Sequence, residues 1–354
     1  MFNRSLPGGT HVADTRRGIL AGGNFIVDHV KLIDVYPAQE MLANIAHETA
    51  TNGGGPYNLL IDLARMQVDA PLAAAALVGD DPDGRRIIDD CRDHHIDTTL
   101  IRQTADAPTS YTDVMTVAST GRRTFFHRRG ANALLDVDHF DFTHSSARVF
   151  HLAYLLLLDR LDQVQPDGST GAAAVLAAAR EQGMITCADA VSVDHPDAGR
   201  IIAAAARHVD HLLLNEVELE RAVGRTMRRD GVLDVDAVTR AAEQLIEVGV
   251  RQTVVVHFAE GAIAVDCDGG RVEQQAVKLP PSKIVGAVGA GDAFASGYLW
   301  GVHENEPLAT RLRWAVCVAA QSLSHATASM GVESLSACCR LGDACGYRDV
   351  TLTA

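Results

Sequence analysis

A glycine-rich turn near the C-terminus carries the strongest chemical signal in the sequence. It reads Gly286-Ala287-Val288-Gly289-Ala290-Gly291-Asp292-Ala293-Phe294. Gly289 and Gly291 allow the backbone N–H groups of the turn to point one way, and residues 293–301 then place aromatic side chains at helical spacing. A glycine turn that opens a helix binds anions through its free amides and the helix dipole, so we predict an anion site here.

Asp292 lies in the first turn of that predicted helix, beside the predicted anion site. A carboxylate repels a neighbouring anion, so its presence there needs a chemical reason. A general base that takes a proton from an attacking hydroxyl group supplies one, and phosphoryl transfer uses such a base. The alternative is an ordinary helix start in which Asp292 complements the helix dipole.

The rest of the chain predicts the elements that must position this turn. Strand-like and helix-like segments alternate, which indicates a mostly parallel sheet flanked by helices. The predicted strands include 18–23, 148–152, 184–188, 211–214 and 253–258, and the predicted helices include 172–182, 197–208, 216–223 and 236–248. Ligands of open parallel sheets bind beyond the carboxyl ends of the strands, so the residues that follow each strand are the candidates for a site.

Two stretches, residues 31–50 and 110–128, are strand-like but amphipathic. Central parallel strands are buried on both faces, whereas alternating strands have one wet face, so these stretches predict a small separate sheet. The second stretch runs into a basic segment, Arg122 to Arg129, whose alternate residues would share a face in a strand. An arginine there can pair with a carboxylate or phosphate of a ligand; otherwise the segment is a solvated face.

Composition limits the function classes. The 354 residues contain 31 Lys plus Arg and 45 Asp plus Glu, a net charge of −14, which argues against nucleic acid or an anionic membrane as the main partner. No apolar run reaches the ~18 residues of a spanning helix, and residues 1–17 lack the apolar stretch of a secretion signal.

The 7 cysteines are an odd number, which favours free thiols in a reducing cytoplasm. Cys338, Cys339 and Cys345 lack the spacing of a zinc site and predict a floppy C-terminal tail.

Five ordered motifs along residues 23–294 resemble the ribokinase-like (PfkB) carbohydrate kinase family. They are Gly23-Asn24 with Asp28, Gly53-Gly54-Gly55-Pro56-Tyr57-Asn58, Gly79-x-Asp81-x-x-Gly84, Asn215-Glu216-Val217-Glu218 and Gly289-Ala290-Gly291-Asp292. The resemblance implies an α/β, ribokinase-like three-layer fold, with a mostly parallel central sheet flanked by helices and a small β-sheet lid. It places a kinase domain at 18–336, between a disordered N-terminal extension (1–17) and a C-terminal tail (337–354).

The family transfers the γ-phosphoryl group of ATP to a hydroxymethyl oxygen of a sugar or nucleoside. By resemblance, Asp292 is the general base, and the amides of Gly289, Ala290, Gly291 and Asp292 form the anion hole for the transferred group. A small-molecule sugar (a pentose, a hexose or a sugar acid) and ATP are therefore the expected partners, with a neutral pentose or hexose as the leading class.

The resemblance also implies a nucleotide and magnesium site. Asn215 and Glu218 would orient Mg²⁺ and the phosphates, with Glu218 acting on the metal through water; alternatively, they are a strand-end cap and a first-turn acid. The nucleotide base should lie near the end of strand 253–258, at His257, Ala259 and Gly261. His257 and Ala259 replace the family's usual small polar residue and glycine, which leaves the nucleotide preference open.

The substrate side of the site follows from the same resemblance. Asp28, Gly54 and Asn58 would bind sugar hydroxyls, together with Asn24. An aspartate accepts hydrogen bonds from two hydroxyl groups, and a glycine lets the backbone approach the sugar closely. From the basic segment, we take Arg128 as the residue that contacts the substrate.

Other features keep alternatives open. Gly286 and Val288 stand where the family usually has Asp and often has Thr, in a region that supplies part of a monovalent-cation site, so potassium dependence is not predicted. A nucleoside kinase of the same fold would need aromatic residues in the lid, which Phe125 and Phe126 could supply. The departures at Gly286 and His257 also permit a non-catalytic sugar-binding sensor. Because family members often dimerise through their lids, a homodimer is expected.

Overall fold

The computed structural model describes residues 16–350 of the chain. Its strands are β1 (Ile19–Gly23), β2 (Ile26–Ile33), β3 (Ile45–Gly53), β4 (Leu72–Gly79), β5 (Ile96–Thr104), β6 (Tyr111–Val117), β7 (Arg123–Arg128), β8 (Val149–Leu155), β9 (Ile185–Ala190), β10 (His211–Asn215), β11 (Arg228–Arg229), β12 (Val232–Leu233), β13 (Thr253–Phe258), β14 (Gly261–Asp266) and β15 (Arg271–Gln275). Its helices are α1 (Gly55–Arg65), α2 (Pro82–Asp93), α3 (Gly171–Glu181), α4 (Ala198–Ala206), α5 (Glu216–Val223), α6 (Val235–Val248), α7 (Ala290–His303), α8 (Leu308–Ser322) and α9 (Leu335–Cys345).

A nine-stranded sheet organises the molecule, in the order β15-β14-β13-β10-β9-β8-β1-β4-β5. The strands from β13 to β5 pair in parallel, and β14 and β15 add an antiparallel edge. The strands inside the two edge strands, β15 and β5, are mostly apolar because helices cover both faces: α3, α4 and α6 bury one apolar core, and α1, α2, α7 and α8 bury the other. The predicted α/β three-layer fold is confirmed.

A second sheet stands apart, in the order β3-β2-β6-β7. Its two outer pairs are antiparallel, and β2 and β6 pair in parallel. Strand β6 alternates as predicted: Thr112 and Val114 are buried while Tyr111, Asp113 and Met115 are half-buried. The sheet starts earlier than the predicted stretch, because β2 begins at Ile26. Asp28 therefore lies within the small sheet.

The prediction of a floppy C-terminal tail from Ala337 was wrong. Residues 335–345 form helix α9, which packs against α8, and the Cys338 side chain is 0% exposed. Tyr347 then pairs with Val277 in an isolated β-bridge. Cys338 belongs to the apolar core, and Cys339 and Cys345 pack against that core from the same helix.

The N-terminal prediction lies largely outside the described residues, which begin at Arg16. The backbone N–H of Arg17 donates to the carbonyl of Ser146, so the chain is held to the domain from that point. Between residues 16 and 350, no helix has both the length and the apolar character needed to cross a bilayer.

Candidate active site

Helix α7 begins at the glycine-rich turn, as the sequence predicts. Gly289 precedes the helix with φ of +78°, and a Cβ there would lie 2.4 Å from the carbonyl oxygen of Ala328. Only glycine fits this left-handed position without moving the backbone. The N–H groups of Gly291 and Asp292 have no partner within helix α7 and remain available to an anion, whereas the Ala290 N–H donates to the carbonyl of Ala287 at 3.4 Å. Anion binding at this turn stays a prediction.

Asp292 lies in this first turn, is 4% exposed, and has both carboxylate oxygens engaged. Tyr154 donates its hydroxyl to Oδ1 at 2.5 Å, and Asn58 donates its side-chain amide to Oδ2 at 2.8 Å. Burial raises the pKa of Asp292 to about 7; the Tyr154 hydrogen bond lowers this pKa and the charge of Asp189 raises it. A carboxylate that titrates near neutral pH suits a general base.

Asn58, which is predicted to bind a sugar hydroxyl, donates its side-chain amide to the candidate base, and sugar binding by Asn58 stays a prediction. It projects from α1, which the Gly54 turn introduces. Gly54 has φ of +96°, and a Cβ there would lie 2.0 Å from the carbonyl oxygen of Asn24. The glycine motif therefore sets the start of α1, and α1 delivers Asn58 to Asp292.

Tyr154 was missed by the sequence analysis. It lies in β8 near the carboxyl end of the strand, and its ring covers Gly55, where a Cβ would come within 2.6 Å of the ring. Burial raises the pKa of the Tyr154 hydroxyl, so it donates to Asp292 as a neutral group. The one available signal was its place near the end of a predicted strand, which is where ligand-binding residues of such sheets lie.

A polar cavity of about 220 Å³ lies beside Asp292. Its polar lining comes from Tyr154, Asp189, Ser192, Asn215, Glu218, His257 and Asp292, and Gly289 and Gly291 complete one wall. The cavity gathers three carboxyl groups, from the end of β9 (Asp189), the first turn of α5 (Glu218) and the first turn of α7 (Asp292). Such a site suits a cation held between carboxylates and a phosphate chain.

Asn215 and Glu218 cap the N-terminus of α5. The Asn215 side-chain oxygen accepts from the backbone N–H groups of Val217 and Glu218, each at 2.9 Å, and its amide donates to Glu218 Oε1 at 2.8 Å. This is the capping arrangement of the structural alternative, yet both side chains also line the polar cavity. Burial raises the pKa of Glu218 to about 8.

Asp189 is a second residue that the sequence analysis missed. Its Oδ2 lies 3.2 Å from Nε2 of His151, which is 0% exposed, and within residues 16–350 its buried Oδ1 has no hydrogen-bond partner. Burial raises the pKa of Asp189, and His151 opposes that rise. Within the same residues, no group of three or more metal-ligating side chains could hold an ion alone. A cation here would therefore keep water or phosphate ligands.

An apolar cavity of about 360 Å³ adjoins the polar one, since His257 and Gly291 line both. The predicted nucleotide residues Ala259 and Gly261 line it as well. The His257 ring lies 4.9 Å from that of Phe294, and burial lowers the pKa of His257 to about 4, so the ring is neutral at pH 7. The two cavities thus form an apolar chamber followed by a polar one that ends at Asp292.

Asp28 lies in β2 of the small sheet, and its carboxylate adjoins Gly53, just before α1. Its side chain bonds to Thr112, and Thr112 Oγ1 lies 3.0 Å from Nδ1 of His127, so neighbouring strands present these groups on one face. Burial raises the pKa of Asp28 to about 6, and the nearby Arg123 charge lowers it.

Asn24 is buried, and its Oδ1 accepts from Asn132 at 3.0 Å, which makes it a support for this region.

The structure does not bring Arg128 to Asp28. Arg128 lies on the opposite face of β7, with its guanidinium 5.9 Å from the centre of the Tyr111 ring. Arg123 shares the Asp28 face and donates to the carbonyl of Ala326 at 3.3 Å, beside the turn that supports Gly289. Because the register of β7 on β6 decides which arginines share the Asp28 face, Arg123 is a better candidate than Arg128 for contact with the substrate.

Comparison with known proteins supports one family. Residues 23–346 match the model of the pfkB family of carbohydrate kinases. A segment of 111 residues is 33% identical to 1-phosphofructokinase of Escherichia coli (strain K12), covering 31% of this chain and 33% of that protein. The chain therefore spans about a third of the length of the curated relatives it matches.

Solved structures share the fold. The structure of Arabidopsis thaliana ribokinase complexed with ribose and ATP has a TM-score of 0.75 and 19% identity, over 92% of this chain and 99% of that one. The Methanocaldococcus jannaschii nucleoside kinase has a TM-score of 0.70 and 14% identity, over 92% and 98%. At these identities the likeness establishes the architecture.

Proposed function

Because this chain belongs to the pfkB family of carbohydrate kinases, we propose that it transfers the γ-phosphoryl group of ATP to a hydroxymethyl oxygen of a sugar. The observation that carries the proposal is the order of the two cavities: the apolar cavity adjoins the polar cavity, and Asp292 lies at the end of the polar cavity. Asp28 lies beside Gly53, and the helix that follows, α1, carries Asn58 to Asp292. A nucleotide, a transferred phosphoryl group and a sugar fit these three places in order.

The base of ATP occupies the apolar cavity, and the phosphates pass between His257 and Gly291. The γ-phosphoryl group then meets the first-turn amides of α7, which supply fixed dipoles without a covalent intermediate. Asp292 takes the proton of the attacking hydroxyl group as its oxygen bonds to the γ-phosphorus, while the bond from that phosphorus to the bridging oxygen breaks and ADP leaves. Tyr154 and Asn58 fix the carboxylate in place for that step.

Magnesium fits the polar cavity. The unpartnered oxygen of Asp189 and the Glu218 carboxyl group would hold the ion, mostly through its water ligands. When bound, Mg²⁺ neutralises charge on the β- and γ-phosphates. A nearby cation would also lower the pKa of Glu218 and favour its ionised form. Glu218 and Asp189 therefore orient the phosphate chain.

A neutral pentose or hexose is the leading substrate class, held by Asp28 and by backbone near Gly54. A nucleoside is the second candidate, because Phe125 shares the Asp28 face and is 57% exposed, as a stacking residue would be before substrate binds. Such a base would stack on the Phe125 ring, whereas a simple sugar would leave the ring free.

The test is ADP release from Mg-ATP with a panel of pentoses, hexoses, sugar acids, sugar phosphates and nucleosides. We expect turnover with at least one sugar and none with nucleosides. Turnover with nucleosides alone would establish the second candidate. Sugar binding by calorimetry without ADP release would support a non-catalytic sensor.

The Arg123→Ala variant tests whether Arg123 contributes to the binding of anionic sugars but not of neutral ones. Arg123 lies on the Asp28 face, so it can pair with a carboxylate or phosphate of the substrate. We expect kcat/KM to fall by at least about tenfold for anionic panel members, since a hydrogen bond to a charged group contributes roughly 1.5–3 kcal/mol. Neutral sugars should change little. Arg128→Ala is the matched control and should leave both classes unchanged; equal effects of the two variants would contradict this assignment.

The Tyr154→Phe variant tests how the base is tuned. The Tyr154 hydrogen bond lowers the pKa of Asp292, so its loss should raise that pKa and shift the acid limb of the kcat/KM profile to higher pH. Activity should therefore fall more near about pH 6 than near about pH 8.5. Tyr111→Phe, in the small sheet on the face away from Asp28, is the control. A uniform loss at every pH would argue for a purely structural role.

We also propose a cytoplasmic homodimer that associates through the small sheet. The face opposite Asp28 carries an apolar cavity of about 350 Å³. Exposed apolar residues of this region are Val35, Tyr36, Met41, Leu42, Ile45 and Phe126. A patch of this kind marks an association surface, and a second copy of the chain is the proposed occupant. Sedimentation equilibrium should give twice the monomer mass, and Phe126→Asp should give the monomer.

A further inference from the structure

An arginine beside the apolar cavity has all of its donor groups engaged. Arg228 of β11 lies between Glu216, the first residue of α5, and Glu260, in the turn between β13 and β14. Its Nε and Nη2 atoms donate to Glu216 Oε1 at 3.1 and 3.0 Å, and its Nη1 and Nη2 atoms donate to the Glu260 carboxylate at 2.9 and 2.7 Å. Nη1 also donates to the carbonyl of Gly231 at 3.1 Å. Because a guanidinium group has five N–H donors, these contacts saturate Arg228 and fix it in place.

One carboxylate oxygen of Glu216 stays free in this arrangement. Both contacts from Arg228 reach Oε1, and Oε2 accepts no hydrogen bond from residues 16–350. The Glu216 side chain is 19% exposed, and it supplies the only carboxylate among the described residues that line the apolar cavity. Two carboxylates beside one guanidinium leave one negative charge in excess. The free oxygen therefore favours a hydroxyl donor over an anion.

Glu216 lies at the junction of the two cavities. It lines the apolar cavity, and Asn215, the residue before it, lines the polar one. In a nucleotide the ribose connects the base to the phosphates. A base in the apolar cavity and phosphates in the polar cavity therefore place the ribose at this junction. This step rests on the proposed function, which assigns the two cavities to ATP.

We propose that Glu216 binds the ribose hydroxyl groups of the nucleotide through Oε2, and that Arg228 is a positioning residue that holds Glu216 for this contact. A carboxylate accepts strong hydrogen bonds from hydroxyl groups, and an acidic side chain binds the ribose 2′-hydroxyl in this way in dinucleotide-binding folds. A site built to bind a hydroxyl group rejects an analogue that lacks it, because the acceptor is left without a partner. The protein should therefore prefer ribonucleotides to deoxyribonucleotides.

The test measures the binding of Mg-ATP, Mg-2′-deoxyATP and Mg-3′-deoxyATP to the full chain by calorimetry. We expect at least one deoxy analogue to bind at least about tenfold more weakly than ATP, the effect of losing a hydrogen bond to a charged group. Glu216→Ala should weaken ATP binding to a similar degree. It should change the affinity for that deoxy analogue little, because losses through one shared contact do not add.

Two further variants separate the contact from the arginine that supports it. Arg228→Gln should reduce the preference for ATP over the deoxy analogue, because Glu216 is then free to rotate, without weakening the analogue itself. Glu260→Gln is the matched control, since Glu260 contacts the same arginine outside the cavity lining and glutamine keeps an acceptor oxygen. It should leave all three affinities within roughly twofold.

Calorimetry needs no turnover, so it decides this proposal separately from the proposed function. Equal affinities for ATP and both deoxy analogues would overturn the ribose contact while leaving ATP as the nucleotide. Equal losses of ATP and the analogues in Glu216→Ala would also overturn it, because they would show a merely structural role. Binding of no nucleotide, with or without the sugars of the panel, would overturn the proposed function and the ribose contact together.

Discussion

The Asp292→Asn variant is expected to lose about 10³-fold in kcat, within the range that a positioned general base contributes. Asparagine keeps the shape of the side chain but cannot take the proton of the attacking hydroxyl group. The first-turn amides and both cavities are unchanged, so ATP and sugar affinities measured by calorimetry should stay close to those of the unmodified protein. Full activity in this variant would remove Asp292 from the proposed mechanism.

The same variant should be more stable at alkaline pH. The pKa of Asp292 is 3.8 for the ordinary group and about 7 in the fold. Because folding raises this pKa, the protonated Asp292 side chain contributes stability that is fully present below pH 3.8. That stability is lost as the pH rises through about 7. Asparagine does not ionise, so the free energy of unfolding of the variant should exceed that of the unmodified protein by up to roughly 4 kcal/mol above pH 8. In acid the two proteins should have the same free energy of unfolding. Denaturant unfolding at several pH values measures it.

The Gly289→Ala variant is expected to lose at least about 10²-fold in kcat, because the anion-binding amides depend on this turn. A Cβ at Gly289 would lie 2.4 Å from the carbonyl oxygen and 2.7 Å from the Cα of Ala328, at φ of +78°. The backbone must move to relieve these contacts, so we also expect a loss of roughly 1–3 kcal/mol in unfolding free energy.

Gly291→Ala provides the matched control for stability. Gly291 is helical, and a Cβ there would meet His257 at 3.5 Å, an ordinary van der Waals contact. Alanine in a helix is roughly 0.5–1 kcal/mol more favourable than glycine, so this variant should unfold at the same or higher denaturant concentration. Equal destabilisation of both variants would contradict the role given to the Gly289 conformation.

Local patterns in the sequence were enough to find most of the framework. The predicted strand 253–258 and helix 216–223 coincide with β13 and α5. The strand is a β-branched run, and the helix begins at an asparagine that caps it. The position of Asp292 in the first turn of α7 was predictable because the glycine turn and its helix are contiguous in the chain.

Contacts between distant segments were not predictable in this way. Asn58 and Asp292 are 234 residues apart, and Tyr154 reaches Asp292 from 138 residues away. Which residues converge depends on strand order, and which face of β7 meets Asp28 depends on its register. A single sequence records neither, so Tyr154 and Asp189 were missed and Arg128 was chosen in place of Arg123.

The most direct test of the central claim is phosphorus NMR of the protein with Mg-ATP and the sugar that the panel identifies. The account predicts that a sugar phosphomonoester signal grows in step with ADP, and that Asp292→Asn suppresses both. Release of inorganic phosphate without a sugar phosphate, or a sugar that binds while ATP stays intact, would contradict transfer to a sugar hydroxyl group.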